Sequence, residues 1–130
     1  MNKKILPILP QIERRLGDND IIAFKIGKTS NTDERFLDDD YNAYDYAIVV
    51  AMSNDSTDIS ILEADMIQYF STHLTLKYKC ENKKGGSAGN PDATSVYIVA
   101  KGRTDTDDLS PQLKHLMDKA ELLDIKTIEL

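Results

Sequence analysis

The chain has 130 residues, 41% hydrophobic and 29% charged, with a net charge of -6. That size suits one domain that buries about two-thirds of its unfolded surface, so it needs neither disulfides nor a structural metal. The composition excludes wholesale disorder, and a lone cysteine, Cys80, excludes an internal disulfide and a thiolate zinc site.

The first residues, Met1-Asn2-Lys3-Lys4-Ile5-Leu6-Pro7, briefly imitate an export signal. Pro7, Pro10 and the charged Glu13-Arg14-Arg15 break the apolar stretch, and no run is long enough to span a membrane. A single domain over residues 1–130, in the cytoplasm and away from the membrane, is the expectation. Net acidity opposes nucleic-acid binding on average, because phosphate recognition draws on a basic excess. The charge is nevertheless segregated. Residues 37–65 hold eight acids and no Lys or Arg, whereas residues 66–103 hold six bases against two acids. A locally positive groove is compatible with this distribution.

In chain order, residues 8–16 read as a short helix, with Pro10 in its first turn and Gly17 as the stop. Residues 21–26 are rich in strand formers, and Gly27 is expected to end the strand. Residues 32–37 suit one or two helical turns, and residues 38–42 a loop. The continuous apolar run 46–52 suits the middle of a sheet. Turn and cap residues at 53–57 lead into a helix over about 58–73, marked by Ile59, Leu62, Met66 and Phe70 at helical spacing. Residues 74–80 alternate as a short strand or extended arm, and 81–92 form a polar loop. Residues 95–101 make a third strand, 109–122 an amphipathic helix, and 125–130 an edge strand. The expected fold class is α/β in the broad (α+β) sense: a small mixed or antiparallel sheet of three to four strands, packed by helices.

Most chemical motifs fail. Gly27-Lys28-Thr29 lacks the earlier glycine and the nest of a phosphate loop. His73 and His115 are the only histidines and lie far apart, so neither a histidine metal site nor a hydrolytic triad is supported. What remains is a strand ending in Lys25-Ile26-Gly27-Lys28, then Arg35, then Glu63 at the margin of a buried helical stripe. A basic segment follows, with Lys77, Lys79, Asn82, Lys83 and Lys84.

This order resembles the GIY-YIG nucleases, especially branches whose second signature strand reads Lys-Ile-Gly. Gly27, Arg35, Glu63 and Asn82 match in order over a core of roughly 21–101, with residues 104–130 as an appended C-terminal helix and edge strand. The resemblance implies an endonuclease-like hydrolase in which Glu63 holds Mg²⁺, Arg35 binds the scissile phosphate and Asn82 shapes the substrate site. Lys25, Gly27, Lys28, Lys77, Lys79, Lys83 and Lys84 complete the candidate nucleic-acid contacts. A hard dication with oxygen ligands beside a guanidinium suits phosphoryl chemistry. Residues 12–16 stand where the family has its first signature strand, and they carry neither its glycine nor its tyrosine. Tyr41, Tyr44, Tyr46 and Tyr97 are the candidates to replace that tyrosine in space. The alternative is a non-catalytic module on the same fold, docking a protein partner through the acidic and aromatic stretch 37–65.

Overall fold

The computed structural model describes residues 1–82, 91–103 and 119–130. Helix α1 (Leu9–Leu16) has Pro10 in its first turn and Gly17 as its C-cap, and it buries Leu9, Ile12 and Leu16. Strand β1 (Ile21–Thr29) is followed by the short helix α2 (Thr32–Leu37), whose N-cap Asn31 accepts a hydrogen bond from the Glu34 backbone. Strand β2 (Tyr46–Met52) leads to α3 (Ser56–Ser71), which is capped by the Asp55 carboxylate. Strand β3 (Ser95–Gly102) and two short strands, β4 (Ala120–Glu121) and β5 (Ile128–Glu129), complete the described elements.

Five strands form one mixed sheet in the order β1-β3-β2-β4, with β5 also on β2. Strand β3 is central and antiparallel to both β1 and β2, while β4 and β5 run parallel to β2. The strand pattern separates two faces. Phe24, Ile26, Ile48, Val50, Val96, Ile98 and Ala100 face α1 and α3 and build the main core with Leu62, Met66 and Phe70. Tyr97, Val99 and Ala47 face the opposite way and pack with Tyr41, Tyr44 and Phe36. The mixed helix-packed sheet is the expected architecture, with one strand more than anticipated.

Several local expectations change. Gly27 does not end β1: it lies within the strand, paired with Tyr97, and the strand continues to Thr29. Residues 39–41 form a 3₁₀ turn that buries Tyr41, not an open loop. Residues 76–78 are a 3₁₀ turn instead of a strand, and only Cys80 bridges to Phe24 of β1. Alternation misled here because Leu76 and Cys80 are four apart, a helical spacing as well as a strand-compatible one. The helix expected over 109–122 lies mostly outside the described residues. Its last residues instead pair as β4 along β2, because that edge offers backbone partners: Ala120 N–H donates to Asp45 and Leu122 N–H to Ala47.

The outer edge of β1 is also covered. Phe24 N–H donates to the Lys79 carbonyl at 2.9 Å, and Glu81 N–H donates to the Phe24 carbonyl at 2.8 Å. One step further, the Asn82 carboxamide accepts from Ile26 N–H at 2.8 Å and donates to Ile26 C=O at 2.9 Å. A single side chain thus continues the ladder.

Candidate functional site

The second face of the sheet departs from an ordinary core. Tyr97 is 1% exposed, and its hydroxyl lies 2.6 Å from that of Tyr41, itself buried. Phe36 of α2 packs edge-on against the Tyr97 ring at 5.4 Å. The Tyr97 ring crosses Gly27 on the neighbouring strand. A Cβ at Gly27 would stand 2.3 Å from the Tyr97 hydroxyl oxygen and 2.4 Å from the ring carbon bearing it. Glycine is required here by close approach, since no glycine among the described residues has a positive φ.

Two cations flank the tyrosine pair. Lys25 Nζ lies 5.6 Å from the centroid of the Tyr41 ring, and the Arg35 guanidinium carbon lies 5.8 Å from it. The turn carrying Tyr41 is fixed from the other end of the chain. Lys119 Nζ donates to the Tyr41 carbonyl at 2.5 Å and to the Tyr44 carbonyl at 2.8 Å. Tyr44 in turn donates to Glu81, which also pairs with Lys101 at 3.2 Å. Burial first, then the Glu81 hydrogen bond, holds the Tyr44 hydroxyl above its ordinary pKa.

Glu63 comes from α3 and is 4% exposed. Its Oε1 is buried without a protein hydrogen-bond partner. Burial raises the carboxyl pKa, while Lys28 and Lys25 pull it back down. Lys28 is held by α3 as well, donating to Ser60 Oγ at 3.0 Å. The Tyr97 hydroxyl lies in the field of both candidate catalytic groups, Arg35 beside the second face and Glu63 on the helix of the first. Burial raises its pKa most and the Tyr41 hydrogen bond adds to this; Arg35 then lowers it and Glu63 raises it. Arg35 also opens into a polar cavity of about 230 Å³ with Thr29, Ser30, Asn31, Glu34 and Asp38, which Glu63 does not line.

The remaining sequence candidates separate. Asn82 spends both amide groups on Ile26 and works as an edge clamp. Lys79 Nζ donates to the carbonyls of Leu16 and Asp18, each at 3.0 Å, so it ties α1 to the arm. Lys77 is exposed beside Tyr78. Lys83 and Lys84 lie outside the described residues. Residues 12–16, set by the resemblance against a first signature strand, belong to helix α1, and the antiparallel neighbour of the Gly27 strand is β3, which sets Tyr97 opposite Gly27. The only sequence signal for that pairing was a tyrosine in an otherwise apolar strand.

Comparison with known proteins gives no relative. No protein-family profile matches the chain, and no curated protein or solved structure is significantly similar to it. Chemistry alone must therefore assess the site. Among the described residues, no cluster of three or more His, Cys, Asp or Glu side chains is arranged to hold a metal ion. Glu63 nevertheless offers an orphaned carboxylate oxygen, and Mg²⁺ commonly binds through one or two carboxylates with water and substrate phosphate filling its other positions. That single oxygen is what Glu63 would offer such an ion. No described helix is long and apolar enough to cross a membrane.

Proposed function

We propose that this chain is a GIY-YIG-like, Mg²⁺-dependent endonuclease domain acting on nucleic-acid phosphodiesters. The observation that carries this reading is the Tyr97 ring laid across Gly27, its hydroxyl bonded to that of Tyr41 with the Arg35 guanidinium over the Tyr41 ring. Arg35 binds the scissile phosphate and offsets charge on its non-bridging oxygens. Lys25, over the same Tyr41 ring as Arg35, supplies further positive charge without reading bases, while Lys28 bonds Ser60 and acts on the Glu63 carboxyl of α3. Tyr41 and Tyr97 are hydrogen-bonded hydroxyl to hydroxyl, which fixes the Tyr41 ring against which Lys25 and Arg35 lie. Glu63 would hold the ion, which when bound supplies polarisation of a phosphoryl oxygen and a more acidic water.

The test is cleavage of single- and double-stranded DNA and RNA with Mg²⁺ or Mn²⁺. Wild-type cutting should fall at least a hundredfold in Arg35→Ala and in Glu63→Ala, a loss of about 3 kcal/mol in transition-state stabilisation. Full activity in both variants rejects the site.

One observation favours the partner-docking alternative: Leu37 is 58% exposed beside exposed Asp38, Asp39 and Asp40. Its proposed aromatic portion is not a surface, however. Tyr41 and Tyr44 are 5% and 9% exposed and belong to the interior. Only the acidic turn remains to that reading.

A further inference from the structure

We propose that the turn carrying Leu74, Lys77 and Tyr78 is a stacking platform for an unpaired base of single-stranded nucleic acid. This rests on the phosphodiesterase reading and names the strand form that the same site takes. The turn is inverted relative to ordinary burial. Leu74 is 84% exposed and Tyr78 82% exposed, the two most exposed large apolar side chains among the described residues. Lys77 N–H donates to the His73 carbonyl and Cys80 N–H to the Leu76 carbonyl, so this stretch is wound helically. Residues 74 and 78, four apart, therefore share its outer side, with Lys77 adjacent. Lys77 Nζ lies 5.2 Å from the Tyr78 ring centroid.

The inner side is firmly anchored. Leu76 and Cys80 are each 3% exposed, and Lys79 is held through both its side chain and its carbonyl. Tyr78 is thus displayed on a fixed backbone, which lowers the ordering cost of binding.

Charge selects the occupant. Residues 74–80 carry no carboxylate in a chain of net charge -6, and of their two lysines Lys79 is held by the Leu16 and Asp18 carbonyls while Lys77 stands beside the Tyr78 ring. An aromatic ring beside a cation, without an acid in the turn, suits a base over its phosphate: stacking supplies sequence-tolerant affinity and the ammonium a backbone contact. Placement agrees. The Lys79 carbonyl, one residue after Tyr78, bonds Phe24, and Gly27 lies three strand residues further along. At about 3.3 Å per residue this is roughly 10 Å.

The experiment is fluorescence-anisotropy binding of a short fluorescein-labelled oligothymidylate in EDTA, where cleavage does not interfere, repeated with the same sequence as a duplex. Wild type should bind the single strand more tightly than the duplex. Tyr78→Ala should weaken single-strand binding by about tenfold or more, while Tyr78→Phe keeps it. Lys77→Ala should reduce the slope of log affinity against log salt by about one. Unchanged binding in Tyr78→Ala, or no binding by wild type, overturns the platform. So does a Tyr78→Ala variant whose only change is oligomeric state by light scattering, which would assign the patch to a second copy of the chain. The parent reading fails separately: binding that depends on Tyr78 without any metal-dependent cleavage removes the nuclease and leaves the platform. Cleavage by a chain whose binding ignores Tyr78 does the reverse.

Discussion

The two faces of the sheet are built from the same three long strands yet do different work. The face under α1 and α3 is lined by aliphatic and aromatic hydrocarbon, with Phe24 and Phe70 edge-on at 5.6 Å. The other face gathers two tyrosine hydroxyls, Lys25, Arg35 and a glycine whose missing side chain admits a ring. The first face tolerates no polar group without cost. The second is smaller and is held by directional contacts, including Lys119 donating to two backbone carbonyls. Stability resides mainly on the first face, and the proposed chemistry is assigned to the second. Glu63 joins them: it belongs to the helix of the first face, and its field reaches the tyrosine of the second.

Substitutions on each face should keep these roles apart. The largest stability effect is expected for Phe70→Ala, which opens a cavity among Phe24, Tyr69 and the α3 stripe and should cost about 3–5 kcal/mol in denaturant unfolding. Gly27→Ala should cost less, about 1–3 kcal/mol, because the Tyr97 ring must shift to clear the added methyl. Oligonucleotide cleavage should fall further in Gly27→Ala than in Phe70→Ala, measured where both are folded. An equal loss in the two variants would erase the division between faces.

The smallest effect concerns Glu63 and pH. Its folded-state pKa is raised by burial, more than Lys28 and Lys25 compensate. The native state therefore holds the proton more tightly than the unfolded chain. Stability from this group is fully present below the ordinary carboxylate range and is lost as pH rises through the raised folded value. Glu63→Gln should thus gain on wild type in unfolding free energy as pH rises from the ordinary carboxylate range towards neutrality. A difference independent of pH would mean that Glu63 is not desolvated. In the proposed function, added Mg²⁺ should stabilise wild type, but not this variant, at neutral pH.

Residues 8–16, 46–52 and 95–101 were legible because each has one dominant period or apolar run, and a buried stripe or strand needs little else to declare itself. The α3 stripe was equally clear, with its start moved to Ser56 by the Asp55 cap and its end at Ser71. The turn at 76–78 and the last residues before Leu123 were not. Their local patterns fit two conformations, and the choice fell to distant partners, Phe24 for the first and the open edge of β2 for the second. At the site, Arg35 and Glu63 could be singled out by residue type and spacing. Asn82 was singled out too, but its amide serves the β1 edge.

Sequence by itself determined the fold class and the aliphatic face, because hydrophobic periodicity is a property of neighbours along the chain. Tertiary structure alone decided that Tyr97 crosses Gly27 and hydrogen-bonds the Tyr41 hydroxyl, that Glu63 is buried with an orphaned oxygen, and that Tyr78 is left outside. Each of these depends on which strands pair and which face a side chain meets. Such placement is fixed by contacts between residues dozens of positions apart.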